Sequence, residues 1–508
     1  MQRGRVVARN VGWNLASQLW LVLVGLLVTP YVVHRLDVPV YGLFTLLLAF
    51  TAYFAMLDLG FGYATTKYVA EYRARGDTET VQRLASTSLT VYLALATAGG
   101  VGLAAVSPLL VRHVLAVPVR LQGTAQTAFL VASLAFSLTM ILQAYQAFPN
   151  ALQRLDLTTR RTIVLATASS GGIVGVLALG RGLLAVLAVQ AAVNATAVVV
   201  FALLARRLLP EIRLRPGFDR ATFRLLARFS LLKFANNVST NTVMQVDKLL
   251  VGALLSLGAV GYYVVPLQLA QRLTTAVGAV SVAFLPAASA LHGGGDRARL
   301  DELYLRATKL VALLGLPLAS LLVVFAHPIL QLWIDARFAD ESATTLQVLA
   351  VGYGINVFST IPAIASDSLG RPGVTTSFSV LSACLNVALS LALIPRFGIV
   401  GSAVAIAVNS ATLVPAFVWY VHRHVLELPL RAVLRRSIAA PAVAAALALA
   451  PMLLLRETVR GPASLALALA LGFAAYLALT VAVRAYDETD RALVRAYLAR
   501  SRGAATVS

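Results

Sequence analysis

The stretch Ser230–Leu255, SLLKFANNVSTNTVMQVDKLLVGALL, decides how the rest of the chain is read. As a helix it is long enough to cross the ~30 Å of hydrocarbon in a bilayer. It also holds two lysines, an aspartate, three asparagines and a glutamine. Wound at about 100° per residue, Lys233, Asn237, Thr240, Asn241, Met244, Asp247 and Lys248 fall within ~120° of arc. Leu231, Leu232, Val238, Val243, Val246, Leu249 and Leu250 take the other side. The pattern predicts an amphipathic spanning helix with one lipid-facing side and one wet stripe. Ionisable groups at membrane depth face a bundle interior or an aqueous path, so this stripe marks a functional interior.

The whole chain supports a membrane reading. Of its 508 residues, 59% are hydrophobic and 12% charged, against about 25% charged in soluble domains. Apolar runs of spanning length recur from end to end. The predicted fold class is an all-α, polytopic membrane protein of about fourteen transmembrane helices. They fall near 11–33, 40–63, 84–111, 124–148, 161–180, 182–205, 229–255, 261–291, 305–332, 343–369, 374–394, 399–421, 437–455 and 463–484. The basic leader MQRGRVVARN runs into an apolar stretch too long for a signal-peptide core, so it reads as a retained first span. The lone Cys384 excludes an intrachain disulfide framework and reads as a buried small hydrophobe.

The net charge of +21 suggests a nucleic-acid partner until the charges are placed. With a cytoplasmic N-terminus, inside connections hold 31 basic residues and outside connections 8. The inside set includes Arg154, Arg160 and Arg161, and seven arginines in 206–228. This bias follows the positive-inside rule, puts both termini in the cytoplasm and leaves no basic domain for nucleic acid. The remaining three, Lys233, Lys248 and Arg272, fall in spans.

An internal repeat organises the chain. RLDVPVYG at 35–42 and SLGAVGYY at 256–263 each sit between the first and second spans of a six-helix set. Leu36 and Tyr41 fall on Leu257 and Tyr262, and ARN at 8–10 faces ARF at 227–229. The expected domains are an N-terminal six-helix bundle (1–205), an Arg-rich cytoplasmic linker (206–228) and a C-terminal six-helix bundle (229–425). Two accessory, nearly non-polar transmembrane helices (437–484) and a cytoplasmic tail (485–508) follow. Paired repeats of this kind are built by transporters that bind substrate at the repeat interface.

Four segments carry a family resemblance. They are Asn10–Asn14 with the following RLDVPVYGLF, then MLDLGFGYATTKYVAEY at 56–72, VDKLLVGALLSLGAVGYYVVP at 246–266 and LNVALSLALIPRFGIVGSAVAIAVN at 385–409. In order and spacing the chain resembles bacterial polysaccharide exporters of the O-antigen flippase type, within the multidrug/oligosaccharidyl-lipid/polysaccharide flippase superfamily. The resemblance implies two six-helix bundles in a V around a central cavity, with the last two helices peripheral. It implies a flippase that carries an undecaprenyl-diphosphate-linked oligosaccharide across the bacterial cytoplasmic membrane. The expected partners are that lipid-linked cargo, membrane lipids, an H+ or Na+ gradient, and a polysaccharide polymerase or glycosyltransferases. Residues 268–289, QLAQRLTTAVGAVSVAFLPAAS, also resemble a helix of the lipid II flippase branch, where an arginine at the position of Arg272 meets substrate phosphates. That branch has arginines in its first helix. Here the first span offers Trp13, Asn14, Gln18 and Trp20, a departure that points to a related lipid diphosphate rather than lipid II.

The candidate substrate-contacting residues are Arg272, Lys233, Lys248, Asn237, Asn241, Gln268, Asn14, Gln18, Gln143 and Asn356. Cations attract diphosphate and arginine can grip it with two parallel donors, while amides suit sugar hydroxyls. Gln190 and Asn194 share a face of the sixth span, and Gln268, Arg272 and Thr275 a face of the eighth. Asp58, Asp247 and Asp367 are the acids available for ion coupling. Two readings stay open at several positions. Lys233 either lines the path or snorkels to the interface. Asp247 and Lys248 either line it or pair locally, and Asp58 either couples or packs helices.

Other chemistries find no motif. No G-x-x-x-x-G-K-[ST] loop, H-x-x-x-H pair or nucleophile elbow occurs, so neither a cofactor nor a metal site is expected. The short outer loops leave no room for a glycosyltransferase or polymerase domain. A cation-coupled multidrug antiporter of the same superfamily is the main alternative, but it calls for an acidic interior, and the deep charges here lean basic.

Overall fold

The chain was analysed as a computed structural model that describes residues 2–115, 117–152 and 154–486. Every regular element among them is helical. In order these are α1 (Gln2–Leu36), α2 (Val38–Phe54), α3 (Phe61–Ala74), α4 (Thr78–Leu109), α5 (Val119–Ala151) and α6 (Leu155–Ala178). There follow α7 (Leu183–Leu208), α8 (Arg220–Leu254), α9 (Leu257–Gly293), α10 (Arg297–Val324), α11 (Ala326–Trp333) and α12 (Ala336–Asn356). The last are α13 (Thr360–Ser368), α14 (Pro372–Val421), α15 (Leu430–Val433), α16 (Ala439–Arg456) and α17 (Pro462–Ala482).

Nine helical segments among the described residues are long and apolar enough to cross a membrane. Two shorter apolar segments, Trp20–Leu36 and Val38–Phe54, join them. Large apolar side chains point away from the protein along these helices, with Val164 63% exposed and Leu454 74% exposed. Apolar exposure on this scale is stable only against lipid. The protein is a multi-pass membrane protein.

Several expected spans are broken, each for a local reason. The span expected at 40–63 stops at Phe54, passes through a tight turn at Ala55–Asp58 and restarts at Phe61. Leu59 and Gly60 adopt left-handed backbone (φ 50° and 84°), which ends one helix before the next begins. The expected spans 305–332 and 343–369 are likewise split, at Phe325 and at Val357–Ser359. The two expected at 374–394 and 399–421 run on as α14, divided by a non-helical Gly398 (φ 59°, ψ −140°) that only glycine adopts easily. α8 starts at Arg220, earlier than the expected 229, because Asp219 caps it by accepting from the Thr222 amide at 2.8 Å. Cys384 is exposed on the apolar part of α14, which corrects the expectation of burial; its neighbours there are lipid-facing side chains rather than core.

The chain divides into two compact units. The first comprises residues 1–265 and 379–402, the second 266–378 and 403–508. In the first, α4 packs on α5 and α5 on α7. A core of Phe61, Tyr92, Phe148 and Leu226 joins α3, α4, α5 and α8. The 206–228 segment lies inside this unit, strapped to α4: Gln82 bonds both the carbonyl and the amide of Arg213, and the Gly217 amide donates to Thr90 Oγ1 at 2.8 Å. The N-terminal turns of α2 and α9, which hold the two repeat motifs, cross backbone to backbone. A Cβ on Gly42 would lie 1.9 Å from the Leu257 carbonyl oxygen, and one on Gly261 2.5 Å from that of Val38. In the second unit, α16 and α17 pack on each other and on α10 through Leu321, Met452 and Tyr476.

Candidate functional site

The quoted stretch forms the second half of α8. The side chains of Asn14, Lys233, Asn237 and Asn241 lie outside the described residues. At the far end of the stripe the structure is explicit. Asp247 is 2% exposed. Its Oδ1 accepts from Asn386 Nδ2 at 2.9 Å and from Ser390 Oγ at 3.2 Å. Asn386 and Ser390 are one helical turn apart on α14 and therefore share a face. A buried carboxylate is thus satisfied by two neutral donors. Asp247 and Lys248 act on each other electrostatically but form no direct ion pair within 4 Å among the described residues. Lys248, half-buried, turns to Gln245 Oε1 at 2.8 Å.

A second polar point lies at the break after α2. Asp58 sits in the tight turn and accepts from the Tyr92 hydroxyl of α4, with the Gly60 and Gly62 amides also bonding its carboxylate. The left-handed Gly60 turn aims these amides at the acid. Next to it, Thr65 and Ser88 share a buried hydroxyl–hydroxyl bond of 2.9 Å. Gln143 on α5 is half-buried and Gln18 on α1 exposed, both in the first unit. Asn194 Nδ2 donates to Thr139 Oγ1 at 3.1 Å, joining α7 to α5.

The second unit holds the other candidates. Gln268 and Arg272 are half-buried along α9, and Thr275 beyond them is exposed. Arg272 has no carboxylate partner among the described residues. One residue before it, Gln271 donates to the Tyr353 hydroxyl at 3.3 Å. Asn356 is half-buried at the end of α12. Asp367 is exposed and accepts from Thr375 Oγ1 at 3.2 Å. The structure therefore gathers Asp58, Asp247, Lys248 and Gln143 in one unit and Gln268, Arg272, Asn356 and Asp367 in the other. Among the described residues, no three His, Cys, Asp or Glu side chains come together to hold a metal ion.

Three polar side chains of the candidate sites escaped the sequence reading. Asn386 and Ser390 lie 139 and 143 residues from the acid they serve. Their signal was the polar i, i+4 pair inside LNVALSLALIP. Arg161 was counted among cytoplasmic basic residues. It is instead half-buried on α6, with its guanidinium 4.5 Å above the Phe201 ring.

A family profile described as polysaccharide biosynthesis protein matches residues 36–343, more than half of the chain. The Bacillus subtilis membrane protein EpsK is 23% identical over 430 residues, which cover 80% of this chain and 82% of that protein. A Shigella flexneri protein provisionally named O-antigen transporter is 20% identical over 406 residues, 78% of this chain and 94% of that one. Among solved structures, the lipid II flippase MurJ in its inward closed conformation matches with a TM-score of 0.70. That match covers 92% of this chain and 97% of the other at 13% identity, a likeness of fold.

Proposed function

Since the chain belongs to the polysaccharide biosynthesis protein family, we propose that it is a flippase for a lipid-linked oligosaccharide, acting in the cytoplasmic membrane with both termini inside. The observation that carries this reading is the family match together with a fold shared over nearly the whole chain with a lipid II flippase. The O-antigen transporter name of the Shigella relative points to the same kind of cargo. The cargo's carrier is an undecaprenyl diphosphate, and the protein moves it by alternating access and performs no bond chemistry on it.

The roles follow from the side chains. Arg272, Lys233 and Lys248 supply cationic points for the diphosphate. Asn14, Gln18, Gln143, Asn237, Asn241, Gln268 and Asn356 supply hydrogen bonds suited to sugar hydroxyls. Asp247 is held by two neutral donors, so it can gain or lose a proton, or hold a monovalent cation, without breaking an ion pair. That suits it to coupling, with Asp58 and Asp367 as the further acids. A polymerase or glycosyltransferase would act before or after the flip.

Deletion of the gene tests the proposal. The expected result is lipid-linked glycan accumulating on the cytoplasmic leaflet and loss of a surface polysaccharide. Unchanged surface glycan with no accumulation would refute it. Altered drug susceptibility with normal glycan would instead assign the chain to cation-coupled drug antiport.

A further inference from the structure

The first unit contains a cavity of about 370 Å³ walled by α2, α5, α6 and α7. Its volume lies in the range of small-ligand sites. Its lining mixes polar Thr139, Arg161, Ser169, Gln190 and Asn194 with leucines such as Leu165. Among the described residues Arg161 is the sole charged one on the wall, and no carboxylate lines it. The guanidinium rests on Phe201, and its Nε is buried without a hydrogen-bond partner. Among the described residues it forms no ion pair. A cation taken out of water needs a counter-charge, and an aromatic face supplies only part of one.

Three features define the ligand. The unpaired guanidinium calls for an anion that can accept from its fork of donors, as phosphate oxygens do. The hydroxyl and amide groups beside it call for further oxygens. The third is access: among the nine apolar spans of the described residues, α6 is the least buried, at 11%, so a membrane lipid can reach the helix that carries Arg161. Arg161 lies near the start of the apolar segment Thr159–Ala178, the end at which a spanning helix meets lipid head groups. We propose that this cavity is a binding site for the phosphate-bearing head group of a membrane amphiphile, with Arg161 as its anchor. The site stands apart from the transport proposal, because it is defined by binding and not by flipping.

Native mass spectrometry of the full-length, detergent-solubilised protein tests it. The probes are a polyprenyl diphosphate, phosphatidylglycerol and, as the neutral control, phosphatidylcholine. The wild type is expected to retain a phosphate-bearing adduct. R161Q should lose it by tenfold or more, and R161K should recover part of it, having charge without the fork. A166F fills the cavity while leaving the charge, and should lose binding equally; it carries the test if R161Q does not fold. R181Q, an exposed arginine off the cavity, should bind as wild type. Dependence on Arg161 for the diphosphate alone assigns the site to the carrier lipid. Dependence for phosphatidylglycerol alone assigns it to a membrane phospholipid, and dependence for both to their shared phosphate. Adducts of both anionic lipids that persist unchanged in R161Q and A166F would overturn the proposal.

Discussion

Asp247 and Arg161 are opposite charges taken out of water in the same unit, and they meet burial in opposite ways. Asp247 is enclosed by Asn386 and Ser390, two donors placed on one face of α14. Arg161 has an aromatic ring beneath it and a cavity in front. The first arrangement pairs the charge itself without a ligand and holds α8 to α14. The second is incomplete and calls for an anion. A buried charge alone therefore does not mark a binding site; what marks one is whether the protein itself supplies the partner.

The contrast can be broken most sharply at Asp247. Asp247→Leu removes the acceptor and leaves two buried donors unpaired, at about 1–3 kcal/mol each. A melting experiment on the purified protein should show the largest loss of any variant considered. A change within the error of the melt would mean that the Asn386–Ser390 bonds do not hold these helices.

Tyr92→Phe comes next. It strips one donor from Asp58 but leaves the Gly60 and Gly62 amides, so the loss should be about 1–2 kcal/mol. A loss as large as that of Asp247→Leu would show that the break after α2 depends on the side-chain bond more than on its glycine turn.

Asp219 gives the solvent-exposed reference point. It caps α8 at the chain surface, and Asp219→Ala should lower the melting temperature by less than Tyr92→Phe does. Bonds from the Thr222 side chain and amide hold its carboxyl below the usual 3.8. The contribution is therefore complete above pH 3.8 and lost as pH falls through the lower folded value. A pH series of melts on wild type and variant should converge in acid; curves that stay parallel there would contradict the capping role.

Arg161→Gln should change stability least, by about 0.5–1 kcal/mol, because it gives up only the Phe201 ring and leaves no hydrogen-bonding or charged partner unpaired. A loss comparable to that of Asp247→Leu would erase the distinction between the two charges.

The sequence reading reached some of this and missed the rest for physical reasons. The polar stripe of α8 was legible as a pattern because helical periodicity is local, and Asp247, which falls on it, is buried against α14. Its partners were not, since nothing local ties position 247 to positions 386 and 390. The helix break at Leu59–Gly60 was hidden by an apolar run that continues through it, whereas the break at Gly398 falls in the gap the reading left between 394 and 399. Arg161 was hidden by a sound rule. Basic residues at span ends obey the positive-inside bias whether they face water or a cavity, so the count absorbed it. The repeat motifs were legible as motifs, but their crossing at Gly42 and Gly261 required three dimensions.

The central claim is movement of a lipid-linked oligosaccharide between leaflets. Its most direct measurement uses sealed proteoliposomes loaded with a polyprenyl-diphosphate oligosaccharide in both leaflets, with a glycosidase added outside. Without protein, only the outer-leaflet share is cleaved. With the wild-type chain, cleavage should proceed to completion while the vesicles stay sealed. An inner-leaflet share that remains protected in the presence of folded protein, under either an H+ or a Na+ gradient, would contradict the account.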